Sequence, residues 1–307
     1  MRWSSATVRR FEGHGPRTLA LSHCTAALSH RRTVVPHVAF VSALPGLEAE
    51  SLTSSMVRLA SGIALAAIAL AAILFLPIIA LRIVACAVAA LAAREYLEIV
   101  ESPIRAVVLA VALCWVSSGL TLPPAQLLLM MALLWVAAEV LAADHSVAQA
   151  TSGVFAAVYV GMPLGMLVAI HALQGWPATL LLLGTIVVSD SSQYYVGRML
   201  GKRPLAPSIS PKKTIEGAIG GFVVATAFMI LAGARMLPSV GYRPLFVLGV
   251  LVVGLGICGD LFESRLKRVA GMKDSSSLIP GHGGVLDRID ALLFAVPPFY
   301  LFVRNIS

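Results

Sequence analysis

The residues best equipped for chemistry lie near the carboxyl end. In the stretch Asp260-Leu261-Phe262-Glu263-Ser264-Arg265-Leu266-Lys267-Arg268, a continuous helix would put Asp260, Ser264 and Lys267 at i, i+4 and i+7 on one face. A carboxylate, a hydroxyl and an ammonium then stand in a row. Glu263 and Lys267 can form an ordinary i,i+4 ion pair, which is the simplest use for Glu263. Further on comes Gly281-His282-Gly283-Gly284, a turn whose glycines let backbone approach a ligand closely, as around phosphate groups. Asp287 and Asp290 follow, one turn apart at the start of an apolar run. Two carboxylates so spaced suit Mg²⁺, which takes a few carboxylates together with substrate phosphates. His282 has no second histidine at metal-ligand spacing and reads as a hydrogen-bond donor.

Two upstream groups have the same character. Asp190 lies at the end of an apolar run, where an acid is costly in hydrocarbon and faces a polar cavity or a metal. Asp190, Tyr194, Gly197 and Gly201 share one helical face, although the two glycines read equally well as a small-residue packing face. In Ser208-Ile209-Ser210-Pro211-Lys212-Lys213-Thr214-Ile215-Glu216-Gly217, Ser210 and Pro211 predict a helix start, with Ser as N-cap and Pro in the first position. Lys212 and Lys213 would then sit beside free backbone N–H groups, a ready anion site. Anchoring of the chain at a membrane surface accounts for the lysines too, but not for Glu216 among them. Gly217-xxx-Gly221 reads as helix packing. Acids for a metal, bases for phosphate and glycines for close approach are what displacement at a nucleotide phosphate requires, and no covalent nucleophile is needed.

The elements that must position these residues are membrane helices. Of 307 residues, 58% are apolar and 12% charged, with a mean hydropathy of +0.89, well outside the range of soluble domains. Runs without charge are long enough to cross about 30 Å of hydrocarbon. The expected fold is an all-α, polytopic integral membrane helical bundle of about nine transmembrane helices, near 57–76, 78–97, 104–122, 125–143, 151–172, 177–197, 214–234, 244–263 and 289–304. Breaks fall at Pro77, Ser102-Pro103, Pro123-Pro124, Asp144-His145, Gly175-Trp176-Pro177 and Arg243-Pro244, where helices end. With the amino end inside, most Lys and Arg residues fall on the inner side, and Arg82, Arg235, Arg243 and Arg304 on the outer. That asymmetry puts the polar loops 198–213 and 264–288 together at the cytoplasmic face. Residues 1–55, rich in Arg and Ser and poor in acids, form a poorly structured extension. They read either as a targeting peptide or as the product of an upstream start, with Met56 beginning the natural chain. The four cysteines show no paired or metal-ligand spacing.

The pattern Ser264-x-x-Lys267-Arg268-x-x-x-x-Lys273-Asp274, continuing through Pro280-x-His282-Gly283-Gly284-x-x-Asp287-Arg288-x-Asp290, resembles the signature of the phosphatidate cytidylyltransferases, or CDP-diacylglycerol synthases. Ser210-Pro211-Lys212-Lys213-Thr214-x-Glu216-Gly217 and the Asp190 region resemble that family as well, so the likeness covers roughly residues 56–304. Gln193 departs from it, standing where a small residue is usual. The resemblance implies an inner-membrane enzyme that joins CTP to phosphatidate, giving CDP-diacylglycerol and pyrophosphate with Mg²⁺, a second cation being left open. It implies Asp260 and Asp287 as leading metal ligands, with Asp290 a further candidate, Ser264 near the metal and Lys267 at the phosphates. Lys212, Lys213, Arg268, Lys273, His282, Gly283, Gly284, Arg288 and Asp190 would line the substrate site, within a catalytic part spanning 185–290. The bilayer is the expected partner and a homodimer the suggested assembly; no nucleic acid is expected. An isoprenoid-ether lipid phosphate is the alternative acceptor. A transporter is the contrasting class, but it would want repeated halves with matching interruptions, and the sequence has none.

Overall fold

The computed structural model describes residues 61–119, 132, 134–135, 137–138, 147–279 and 283–306. The expected amino-terminal extension, most of the expected 125–143 span and His282 lie outside these residues. Helix α1 (Ser61–Phe75) stops before Pro77, which sits at the amino end of α2 (Ile78–Ile99). Ala85, Ala89, Ala92 and Ala93 are buried along one side of α2 together with Tyr96, the alanines being small residues that let neighbouring helices approach. After Ser102-Pro103, a single 3₁₀ turn leads into α3 (Val107–Ser117).

Helix α4 (Val147–Ala156) passes through a π turn at Ala157–Gly161 into α5 (Met162–Leu200). Helix α5 bends at Gly175, whose φ of 73° and ψ of −167° are non-helical, two residues before Pro177. The bend falls where sequence predicts a break between two spans. The whole stretch Val147–Leu200 has 54 residues, about 80 Å at about 1.5 Å per residue, which is long enough for two passes through about 30 Å of hydrocarbon.

A two-stranded antiparallel hairpin follows, β1 (Pro204–Ala206) with β2 (Ser210–Thr214), in the register Pro204↔Thr214 and Ala206↔Ser210. The expected helix start at Ser210 and Pro211 is therefore wrong. Those residues are in β2, and α6 (Ile215–Met236) begins after Thr214, whose hydroxyl accepts the Gly217 N–H at 3.1 Å. Pro211 is tolerated because both strands of a two-stranded hairpin are edges. Helices α7 (Tyr242–Val269) and α8 (Leu286–Ile306) complete the described chain.

Among the described residues, four helical stretches are long and apolar enough to cross a membrane, namely Val147–Leu200, α6, α7 and α8, while α1 and the Ile104–Ser117 segment are apolar but shorter. The protein is thus a helical membrane protein; a count of about nine spans goes beyond these four. Large apolar side chains exposed on α6 and α7, such as Ile219, Val223, Leu231, Phe246 and Val247, suit contact with lipid. Two buried clusters lie to either side of α8. Leu286 and Leu293 join the one built on α2, α3 and α5. Ala291, Leu292, Ala295 and Phe299 join the other, with α5, α6 and α7. The helix that carries Asp287 and Asp290 is therefore wedged from both sides. Helix α6 approaches α5 through glycines: a Cβ on Gly217 would come 2.7 Å from the Gln193 carbonyl oxygen and 3.0 Å from Gly197 Cα. Helix packing is thus their use, and the departure at Gln193 is accommodated because Gly221 has no side chain beneath it.

Candidate active site

The predicted row on α7 forms, and it is split between two partners. Asp260 pairs with Lys213 at the end of β2, and the Ser264 hydroxyl lies 3.5 Å from Asp260 Oδ1. Lys267, almost two turns on, is 2.6 Å from Asp287 Oδ1 on α8 and 2.6 Å from Glu263 Oε2. The i,i+4 pair expected for Glu263 is present, but buried: the Glu263 side chain is 1% exposed, and its Oε1 has no hydrogen-bond partner among the described residues. One ammonium is thus shared by two carboxyl groups, Glu263 on α7 and Asp287 on α8.

Lys213 stands among acids. Burial pushes its ammonium below the ordinary lysine range, and the nearby charges of Asp290, Asp190 and Glu263 pull the other way. A cavity of about 380 Å³ opens beside it, lined by Asp190, Tyr194, Gly197, Ser210, Lys212, Lys213 and Asp260, among others. The shared helical face of Asp190, Tyr194 and Gly197 is therefore a cavity wall. The two polar loops meet, as expected: Arg268 Nε donates to the Ile209 carbonyl at 3.3 Å and its Nη1 to the Met272 carbonyl at 3.1 Å. Glu216, unexplained by sequence, accepts the backbone N–H groups of Lys202 and Arg203 at 3.0 and 3.2 Å and so fastens the entry to the hairpin.

At the amino end of α8, Asp287 Oδ2 accepts the N–H groups of Gly284 at 2.8 Å and Ser275 at 3.0 Å. Gly283, with φ of 80°, has its carbonyl bonded by the Ile279 N–H at 2.9 Å. The close approach these glycines allow is to the protein itself. A Cβ on Gly283 would lie 2.5 Å from Asp287 Oδ2, and one on Gly284 would collide with Ser275 and Glu95. Asp290 Oδ1 accepts the Ala291 N–H at 2.7 Å. Lys273 is exposed in the connecting loop. Arg288 borders a different cavity, about 310 Å³, walled by α1, α2, α5 and α8 through residues such as Ile73, Val84, Val88, Leu164 and Leu292.

Glu95 is the residue that sequence reasoning misses. It lies on α2, outside 185–290, and is 4% exposed. Its Oε1 accepts the Ser276 hydroxyl at 2.7 Å and the Val285 N–H at 3.0 Å; its Oε2 accepts the Ser275 hydroxyl at 2.9 Å and the Leu286 N–H at 2.8 Å. The available signal is an acid within an apolar span. Its neighbours Arg94 and Glu98 pair with each other at 2.8 Å on the exposed side, which leaves Glu95 unaccounted for.

Could these groups hold a divalent metal? Asp260, Asp287 and Asp290 offer the hard oxygen donors that Mg²⁺ takes. Among the described residues no three His, Cys, Asp or Glu side chains gather as a ready-made metal cage. A metal here would therefore take one or two of these carboxylates and draw the rest of its shell from substrate phosphates.

Apolar helices carrying a pocket of paired acids and lysines define a membrane protein with a charged site among its helices. The model of the cytidylyltransferase family matches residues 56–306, and the chain belongs to that family. It is similar to the phosphatidate cytidylyltransferase of Bacillus subtilis (strain 168), 40% identical over 158 residues, which is 50% of this chain and 57% of the relative. It is also similar to that of Haemophilus influenzae, 47% identical over 122 residues, 38% of this chain and 42% of the relative. A third such relative, from Helicobacter pylori (strain ATCC 700392 / 26695), is 36% identical over 182 residues, 59% of this chain and 66% of the relative. The chain thus spans between about two fifths and two thirds of the length of these relatives.

Proposed function

We propose that this chain transfers the cytidylyl group of CTP to phosphatidate, forming CDP-diacylglycerol and pyrophosphate. The observation that carries this reading is the joining of Lys213–Asp260 and Lys267–Asp287 along one face of α7, beside a cavity that also presents Lys212 and Asp190, in a chain of the cytidylyltransferase family. A phosphate oxygen of phosphatidate attacks the α-phosphorus of CTP; the new P–O bond forms as the bond to the β-phosphate oxygen breaks, and pyrophosphate leaves. Lys212 and Lys213 bind the triphosphate and orient it. Lys267, held between Glu263 and Asp287, faces the charge that builds up on the phosphoryl oxygens. Asp260 and Asp287, with Asp290 as a further candidate, are the acids that would contact Mg²⁺ together with the substrate phosphates, and the chemistry the ion would supply is neutralisation of those oxygens.

The second cavity favours a lipid acceptor. Its walls are almost entirely apolar, and Arg288, next to Asp287 in the chain, is among its lining residues, so an acyl chain and a phosphate can be accommodated on one molecule. The names of the relatives favour phosphatidate over an isoprenoid-ether lipid phosphate. In this reading the chain crosses the bacterial plasma membrane about nine times, with the site at the cytoplasmic face. Purified protein given labelled CTP, phosphatidate and Mg²⁺ releases pyrophosphate and forms labelled CDP-lipid. Well-folded protein that yields no product, or that prefers the isoprenoid-ether acceptor in competition, overturns the assignment.

A further inference from the structure

We propose that Glu95 is a positioning residue of this site: from α2 it holds Ser275, Ser276, Val285 and Leu286 so that Asp287 stands against Lys267. The inference rests on the function proposed above. Each oxygen of the Glu95 carboxylate takes one backbone N–H and one serine hydroxyl, Val285 with Ser276 and Leu286 with Ser275. The adjoining N–H, that of Gly284, goes to Asp287. Ser275 joins the two acids directly, since its hydroxyl donates to Glu95 and its N–H to Asp287. Glu95 and Asp287 thus divide the donors at the start of α8 between them, and the glycine at position 284 is required because a Cβ there would strike both Glu95 and Ser275.

This arrangement specifies Glu at position 95. A glutamine offers one acceptor oxygen for two backbone N–H groups, and its amide N–H₂ must face the other donor. An aspartate is one methylene short of the segment. Losing the clamp leaves a buried donor without an acceptor and frees the segment that orients Asp287. The cavity beside Lys212, Lys213 and Asp260 has no contact with Glu95 among its lining residues, so CTP binding is spared while turnover falls.

The test compares wild type, E95Q, E95A and S275A in detergent, measuring kcat and KM for CTP, thermal unfolding, and hydrogen exchange of the 275–286 amides. E95Q is expected to lower kcat about ten- to a hundredfold, the usual range for a residue supporting a site from behind, with KM for CTP within about twofold. Exchange at Val285 and Leu286 rises, and E95Q combined with S275A loses little more than E95Q alone, because the two act as one chain of bonds. E95Q folding normally with wild-type kcat overturns the proposal, as does a loss explained wholly by a smaller folded fraction. If E95A does not fold, the near-isosteric E95Q still decides. If wild type itself makes no CDP-lipid, the proposed function fails, and the exchange measurement still reads whether Glu95 holds the segment.

Discussion

Replacing Asp287 by Asn alters the site with almost no change in volume. Asp287 Oδ1 is 2.6 Å from Lys267 Nζ, while Oδ2 accepts from Gly284 at 2.8 Å and Ser275 at 3.0 Å. Whichever way the new amide turns, its N–H₂ meets a donor: the ammonium on one side or two backbone N–H groups on the other. The Asp287 side chain is 4% exposed and that of Lys267 12%, so water does little to relieve the conflict. Removing one partner of a buried ion pair costs about 3–5 kcal/mol. Glu263 remains 2.6 Å from Lys267, which brings the expected loss of stability down to about 2 kcal/mol, near the net value of one hydrogen bond to a charged group. Turnover suffers more, because the charge opposite Lys267 and a proposed metal ligand go together; loss of a single transition-state contact is commonly about 100- to 1000-fold. The assay is pyrophosphate release from CTP and phosphatidate by detergent-purified D287N, with thermal unfolding recorded on the same preparation. Folded D287N that keeps more than about a tenth of wild-type turnover would refute the reasoning.

Other expectations follow from the same geometry. K213M removes the cation facing Asp260 and should lower kcat/KM for CTP about ten- to a hundredfold, the equivalent of one charged hydrogen bond; an unchanged KM for CTP in steady-state kinetics would count against a phosphate-binding role. G217V drives a side chain into the Gln193 carbonyl and Gly197 Cα, backbone atoms that cannot turn aside, and should destabilise the protein by about 1–3 kcal/mol, seen as a lower unfolding temperature. V88W fills part of the apolar cavity beside Arg288. It should raise KM for long-chain phosphatidate several-fold while sparing KM for CTP, and equal KM values for long- and short-chain acceptors would separate that cavity from the lipid.

Much of the chemistry could be read without coordinates, because the constraints there are local. Helical spacing alone aligns Asp260, Ser264 and Lys267, and the α7 helix does run continuously through all three. The small residues at 217 and 221 mark a close helix contact for the same reason, since a side chain's absence is visible in sequence. The hairpin was not legible. Ser210-Pro211 is a sound helix-start signal, but pairing of Ser210–Thr214 with Pro204–Ala206 prevails, and strand pairing is a property of two segments rather than one.

Membrane residence and the segments that bear the polar site were determined by the sequence itself: burial of so much apolar surface has one economical solvent, and motif spacing is fixed by helix geometry. Which acid meets which base was decided only in three dimensions. Lys267 has an acid one turn away and another on a different helix, and it holds both; Asp260 turns instead to Lys213, 47 residues upstream. Glu95 reaches Ser275 across 180 residues of chain. Charges attract through space and hydrogen bonds form at contact, so these partnerships depend on how the helices pack, a quantity that no single stretch of sequence contains.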